Sequence, residues 1–256
     1  VEEYPLLPKE SNGRSCDLAY PVDDAAEFLR VVSEKTAPLF EGMETLVMVN
    51  RERLEENPER AQMVERLAGE REILDPDSRN VSREIVDFLD LPGPDDTTII
   101  FVAGHGINID EDYFFIPTDG EKRDADRWRS ASLVEWADIQ EAVERAKGRR
   151  IMVLDTCHAA NAFNPRLEKE AADARIVVLS ATAANNTAQE LSELGHGIFT
   201  YSLVQGLKGA ADNRGEGVKV FGLVDYVSYE VERLSKKQQQ PFFYTTPTTN
   251  FLLARP

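Results

Sequence analysis

Cysteine and histidine are scarce in this chain, with two and three among 256 residues. With only Cys16 and Cys157 present, a disulfide framework is not expected, and a reducing compartment is the natural setting. Neither Cys-x-x-Cys nor His-x-x-x-His spacing occurs, so the sequence offers no paired ligands for zinc. No apolar run reaches the roughly 18 residues that a bilayer span needs, and no secretory leader is visible. A cytoplasmic location is therefore expected. Positive charge is also in deficit, with 29 basic against 46 acidic residues and a net charge of -17. Such a field repels phosphate backbones and attracts cations, which argues against nucleic acid as a direct substrate. Internal repeats and low-complexity segments are absent.

What is present is enough apolar material, 42% of residues, for one sizeable core, and a single domain over residues 1–256 is expected. Short apolar runs alternate with helical patterns, which predicts an α/β fold with a largely parallel sheet. Strands are expected at Thr45–Val49, Thr97–Ala103, Tyr113–Pro117, Ile151–Leu154 and Arg175–Leu179. Helices are expected at Asp24–Glu34, Val81–Leu89, Leu133–Lys147, Ile198–Leu207 and Phe221–Ser235. Leu133, Trp136, Ile139 and Val143 mark one helix's buried face. Arg51–Arg71 stands apart: dense in Glu and Arg, it reads as an inserted, solvent-exposed helix.

Two of the strands run into reactive side chains. Thr97–Ala103 leads to Gly104-His105-Gly106, and Ile151–Leu154 leads to Asp155-Thr156-Cys157-His158. Open α/β sheets collect chemistry at the carboxyl ends of neighbouring strands, so a His and a Cys there can meet despite their distance in sequence. A thiol with a reference pKa of about 8.5 needs an imidazole beside it to become a nucleophile at neutral pH. His105 is the expected base and Cys157 the expected nucleophile. The glycines around His105 leave peptide groups accessible, and the N–H groups of Gly106 and Cys157 are the expected oxyanion donors. Taken singly, Cys157 reads as an inert buried thiol; it is the pairing with the Gly-His-Gly loop on another strand end that makes it the expected nucleophile. His158 and His196 are expected to be structural, His196 in a loop or capping role. Asp110, Glu111 and Asp112 match no calcium-loop motif and read as a solvated turn. No cofactor is expected, with calcium dependence left open.

At these residues the chain resembles the caspase-like cysteine peptidases, specifically the metacaspases and bacterial caspase-family proteins. Thr98–Gly106 is similar to the family's histidine strand, Tyr113–Asp119 to the short strand pair beyond it, and Leu154–His158 to its nucleophile strand. The His-to-Cys interval of about 50 residues is also caspase-like. Val178–Thr182, Gly195–Tyr201 and Asn250–Ala254 are similar to later parts of bacterial members. The resemblance implies a three-layer α/β sandwich around a mostly parallel sheet, and a cysteine endopeptidase. The animal-caspase signature Gln-Ala-Cys-x-Gly is absent, and Asp155 stands where metacaspases carry an acid that selects Arg or Lys before the scissile bond. Asp24 matches a second pocket acid and Glu190 a third. Each has another reading: Asp24 with Glu27 as a capping box, Asp155 as a helix cap, Glu190 as an exposed loop carboxylate.

The resemblance also implies an apolar first strand in mid-sheet, which is not found upstream of Val1. The chain is accordingly expected to be part of a larger protein, controlled by an upstream domain or a partner protein. The competing functional reading is a catalytically silent module that serves as a signalling or interaction scaffold.

Overall fold

The computed structural model describes residues 1, 3–5, 18–110, 112–124, 127–156, 176–182, 189–191 and 193–256. Seven α-helices occur among them: α1 (Pro21–Thr36), α2 (Arg51–Glu55), α3 (Pro58–Ala68), α4 (Ser78–Leu89), α5 (Trp136–Arg145), α6 (Ile198–Gln205) and α7 (Val220–Leu234). The first strands are β1 (Thr97–Gly104), β2 (Gly106–Ile109), β3 (Asp112–Phe115), β4 (Lys122–Asp124), β5 (Arg127–Trp128) and β6 (Val134–Glu135). They are followed by β7 (Arg149–Thr156), β8 (Ile176–Ser180), β9 (Glu190–Leu191), β10 (His196–Gly197), β11 (Val218–Lys219), β12 (Phe242–Tyr244) and β13 (Leu252–Ala254).

The central sheet has the order β1-β7-β8-β12. β1, β7 and β8 are parallel, and β12 closes the far edge antiparallel to β8. Side-chain alternation in β7 and β8 divides the core. Met152, Leu154, Ile176 and Val178 face the layer of α4 and α5. Ile151, Val153, Val177 and Leu179 face α1, α6 and α7. All eight are at most 2% exposed, which is why these strands read in the sequence as unbroken apolar runs. Helices thus cover both faces, giving the expected mostly parallel three-layer α/β sandwich.

Three local expectations are corrected. Arg51–Arg71 does not form one exposed helix: Asn57 accepts from Arg60 N–H at 3.1 Å and Pro58 opens a second helix, so α2 and α3 are separate. Leu54, Val64 and Ala68 are buried with Val22 and Ala26 of α1, and Ala61 and Met63 pack partly buried against them. Thr45–Val49 is not a regular strand, since among the described residues its only ladder contact is an isolated parallel bridge, Met48 to Leu74. The segment lines a cavity of about 690 Å³ together with Val81 and Ile85 of α4 and with β1. This cavity runs along the open edge of β1, so among the described residues no strand pairs there. Finally, the helix expected from Leu133 starts at Trp136, because Val134–Glu135 pairs with β3 instead.

Candidate active site

The parallel register of β1 and β7 runs from Thr97↔Arg149 to Gly104↔Thr156. Both strands therefore end level. Gly104 is followed in sequence by His105, and Thr156 by Cys157. Cys157 and His158 lie outside the described residues, as do Cys16 and Glu111.

His105 is held by its backbone. Its N–H donates to Tyr4 Oη at 2.7 Å, and its carbonyl accepts from Ile116 N–H at 3.0 Å. The half-buried imidazole lies 4.7 Å from the Tyr4 ring, tilted by 38°. The flanking glycines are required by close approach. At Gly104, with φ +153°, a Cβ would lie 3.0 Å from both the Phe115 ring and Tyr4 Oη. At Gly106 a Cβ would fall 1.9 Å from Tyr113 Oη. Because Ile116 donates to His105, the adjacent Gly106↔Phe115 pair of β2 and β3 is of the non-hydrogen-bonded kind. The Gly106 N–H is thus turned away from β3.

The end of β7 is pinned from two sides. Tyr113 Oη and Thr156 Oγ1 are 2.6 Å apart, and Thr182 Oγ1 donates to the Thr156 carbonyl at 3.2 Å. The segment carrying Thr182 is itself tied down by the fully buried Gln239, whose Nε2 donates to the Ala181 carbonyl at 2.9 Å. None of Tyr4, Tyr113, Thr182 or Gln239 is singled out by sequence reasoning. Lone polar residues in apolar neighbourhoods carry no motif.

Alternation along β7 turns Asp155 toward the same face as Ile151 and Val153. There it meets α6, where Thr200 Oγ1 donates to Asp155 Oδ2 at 2.6 Å. Asp24 reaches the same place from α1. Its Oδ1 is 2.7 Å from His196 Nδ1, and its Oδ2 accepts from Gly197 N–H at 3.1 Å. A Cβ on Gly197 would be 3.0 Å from Asp155 Oδ2 and 3.1 Å from Asp24 Oδ2, so the two carboxylates flank one glycine. Burial pushes the Asp24 carboxyl up to about 7; Asp155 adds to the rise, while His196 and the Gly197 N–H oppose it. His196 is raised in turn, chiefly by its bond to Asp24.

The capping-box reading of Asp24 fails: α1 starts at Pro21 with Tyr20 as its N-cap, four residues earlier than that reading needs. The loop or capping reading of His196 also fails, since it lies in β10 and is bonded to Asp24. Glu190 is in β9, opposite Gly197 in the register. Sequence reasoning therefore named Asp24 and Asp155 but missed His196 and Thr200. The one available signal was the second Gly-His-Gly, Gly195–Gly197. Among the described residues no group of three His, Cys, Asp or Glu side chains is arranged to hold a metal ion, and no helix is long and apolar enough to cross a membrane.

A mostly parallel sheet covered by helices on both faces, with a histidine at the end of β1, defines an α/β sandwich class. The family model described as the caspase domain matches residues 18–252. The chain belongs to that family, which is one of cysteine peptidases. No curated protein matches the chain.

Proposed function

We propose that the protein is a cysteine endopeptidase that cleaves after Arg or Lys through a dyad of Cys157 and His105. The observation that carries this reading is the level ending of β1 and β7, with Gly104 opposite Thr156 one residue before His105 and Cys157. In the proposed reaction His105 takes the Cys157 thiol proton, and the thiolate attacks the scissile carbonyl carbon. The N–H groups of Gly106 and Cys157 stabilise the oxyanion. His105 then gives its proton to the leaving amine, and water, activated by the same imidazole, releases the acyl group and regenerates the thiol. No step requires a cofactor.

Specificity rests on Asp155 and Asp24, whose carboxylates converge beside Gly197. A guanidinium or ammonium placed there gains charge-assisted hydrogen bonds, whereas an aspartate side chain meets like charge. Glu190, opposite Gly197 in register, is proposed as a third acid of this pocket. The test is covalent labelling with a peptidyl-arginine acyloxymethyl ketone followed by peptide mapping. Modification at Cys157 that is lost in His105→Ala supports the dyad; unselective modification, or none, contradicts it.

A further inference from the structure

The proposed pocket already contains a titratable partner for Asp24. His196 Nδ1 is 2.7 Å from Asp24 Oδ1, while Asp24 Oδ2 and Asp155 Oδ2 both border Gly197, the next residue in the chain. We propose that His196 is a gating residue for basic side chains: as imidazolium it neutralises Asp24 in the empty pocket, and it must lose its proton for a guanidinium to take its place. This rests on the reading of Asp24 and Asp155 as a cation-binding pocket.

The electrostatic surroundings favour the charged imidazole until a competitor arrives. α1 presents Asp23, Asp24 and Glu27 to His196. Glu27 is occupied by Arg30, at 2.8 Å, and by Lys208, at 2.7 Å, so it adds little net attraction. β7 contributes Asp155, which acts on Asp24. β9, paired with His196's own strand, carries Glu190, and the connecting turn carries the exposed Glu193. Asp24 is 4% exposed at its side chain and His196 23%. The carboxylate is thus shut away, and the imidazole is the partner with room to release its proton to solvent.

The sign of the effect follows from proton linkage. Binding that expels one proton strengthens up to tenfold per pH unit until the pH exceeds the pKa of the group that held it. A proton shared by Asp24 and His196 is held at least as tightly as one on Asp24 alone. Replacing His196 by Gln, which is neutral and retains a donor for Asp24, therefore lowers the proton cost of binding. The gate predicts that His196→Gln tightens binding at low pH and that the advantage fades as pH rises. A merely structural His196 predicts equal or weaker binding throughout.

The experiment is calorimetric titration of the full chain with acetyl-arginine amide from pH 5.5 to 9, in wild type and His196→Gln. The gate predicts that the variant binds roughly tenfold tighter near pH 6, with the two converging above pH 8. It also predicts that wild type releases more protons on binding. Equal or weaker binding by the variant at every pH overturns it, as does failure of wild type to bind at all. Independently of the variant, NMR titration of the wild-type His196 imidazole should show its pKa fall when acetyl-arginine amide is bound; an unchanged pKa overturns the gate. The underlying reading fails separately: ligand binding with the predicted pH dependence, but no cleavage of arginyl peptides, would retain the gate and remove the peptidase.

Discussion

At the residue scale, small side chains decide what the site can hold. A Cβ at Gly197 would lie about as close to each carboxylate oxygen as a hydrogen-bonding partner does, 3.0 and 3.1 Å. Gly197→Ala is therefore expected to lower kcat/KM for arginyl substrates roughly tenfold or more, mainly through KM. Steady-state kinetics with an arginyl peptide checks this, and an unchanged KM would show that the substrate side chain does not reach the carboxylates. Gly106→Ala acts differently. Its Cβ would collide with Tyr113, whose hydroxyl bonds Thr156, so overpacking costs about 1–3 kcal/mol. Urea denaturation measures that cost.

At the element scale, the charged helices α2 and α3 are attached to α1, the helix that carries Asp24. Arg60 of α3 pairs with Asp23, the neighbour of Asp24, and donates to the carbonyls of Arg53 and Leu54. The Arg60 side chain is only 13% exposed, so this is not a freely solvated surface pair. Arg60→Ala leaves those partners unsatisfied and is expected to cost about 1.5–3 kcal/mol; thermal unfolding that matches wild type would refute the attachment. Much of the fold was legible because β7 and β8 bury both faces and so appear as continuous apolar runs. The break between α2 and α3 was less legible. Its signal, Asn57-Pro58, is local and sits inside a segment whose charge suggested uniform exposure. The Thr45–Val49 run reads as a strand by composition, but a strand also needs a partner, and the neighbouring cavity along β1 supplies none. In the site, motif residues at strand ends could be read. His196 and Thr200 could not, because their roles exist only after α1, β7, β10 and α6 converge.

At the scale of the whole molecule, the buried pair links stability to pH. Asp24 is raised from 3.8 to about 7, so across that window the folded protein retains a proton that the unfolded chain has lost. Its contribution therefore falls as pH rises through the window. His196, raised above 6.5, acts in the same direction, since its contribution is full below 6.5 and lost as pH climbs through its folded value. Glu27, lowered from 4.5 to about 2 chiefly by Arg30, has the opposite sense: its contribution is present above 4.5 and lost as acid approaches 2. Comparing wild type with Asp24→Asn by denaturant unfolding between pH 4 and 8 isolates the pair. The variant should show a shallower decline, and parallel curves would mean that Asp24 and His196 do not share a proton.

The net charge of -17 suits the proposed cleavage after basic residues, because the global field and the proposed pocket would attract the same sign. Both depend on the proposed chemistry at Cys157. The most direct test is a positional peptide library cleaved by wild type and by Cys157→Ala. The account predicts cleavage after Arg and Lys by the wild type and none by the variant. Efficient cleavage after Asp, or cleavage that survives in Cys157→Ala, would contradict it.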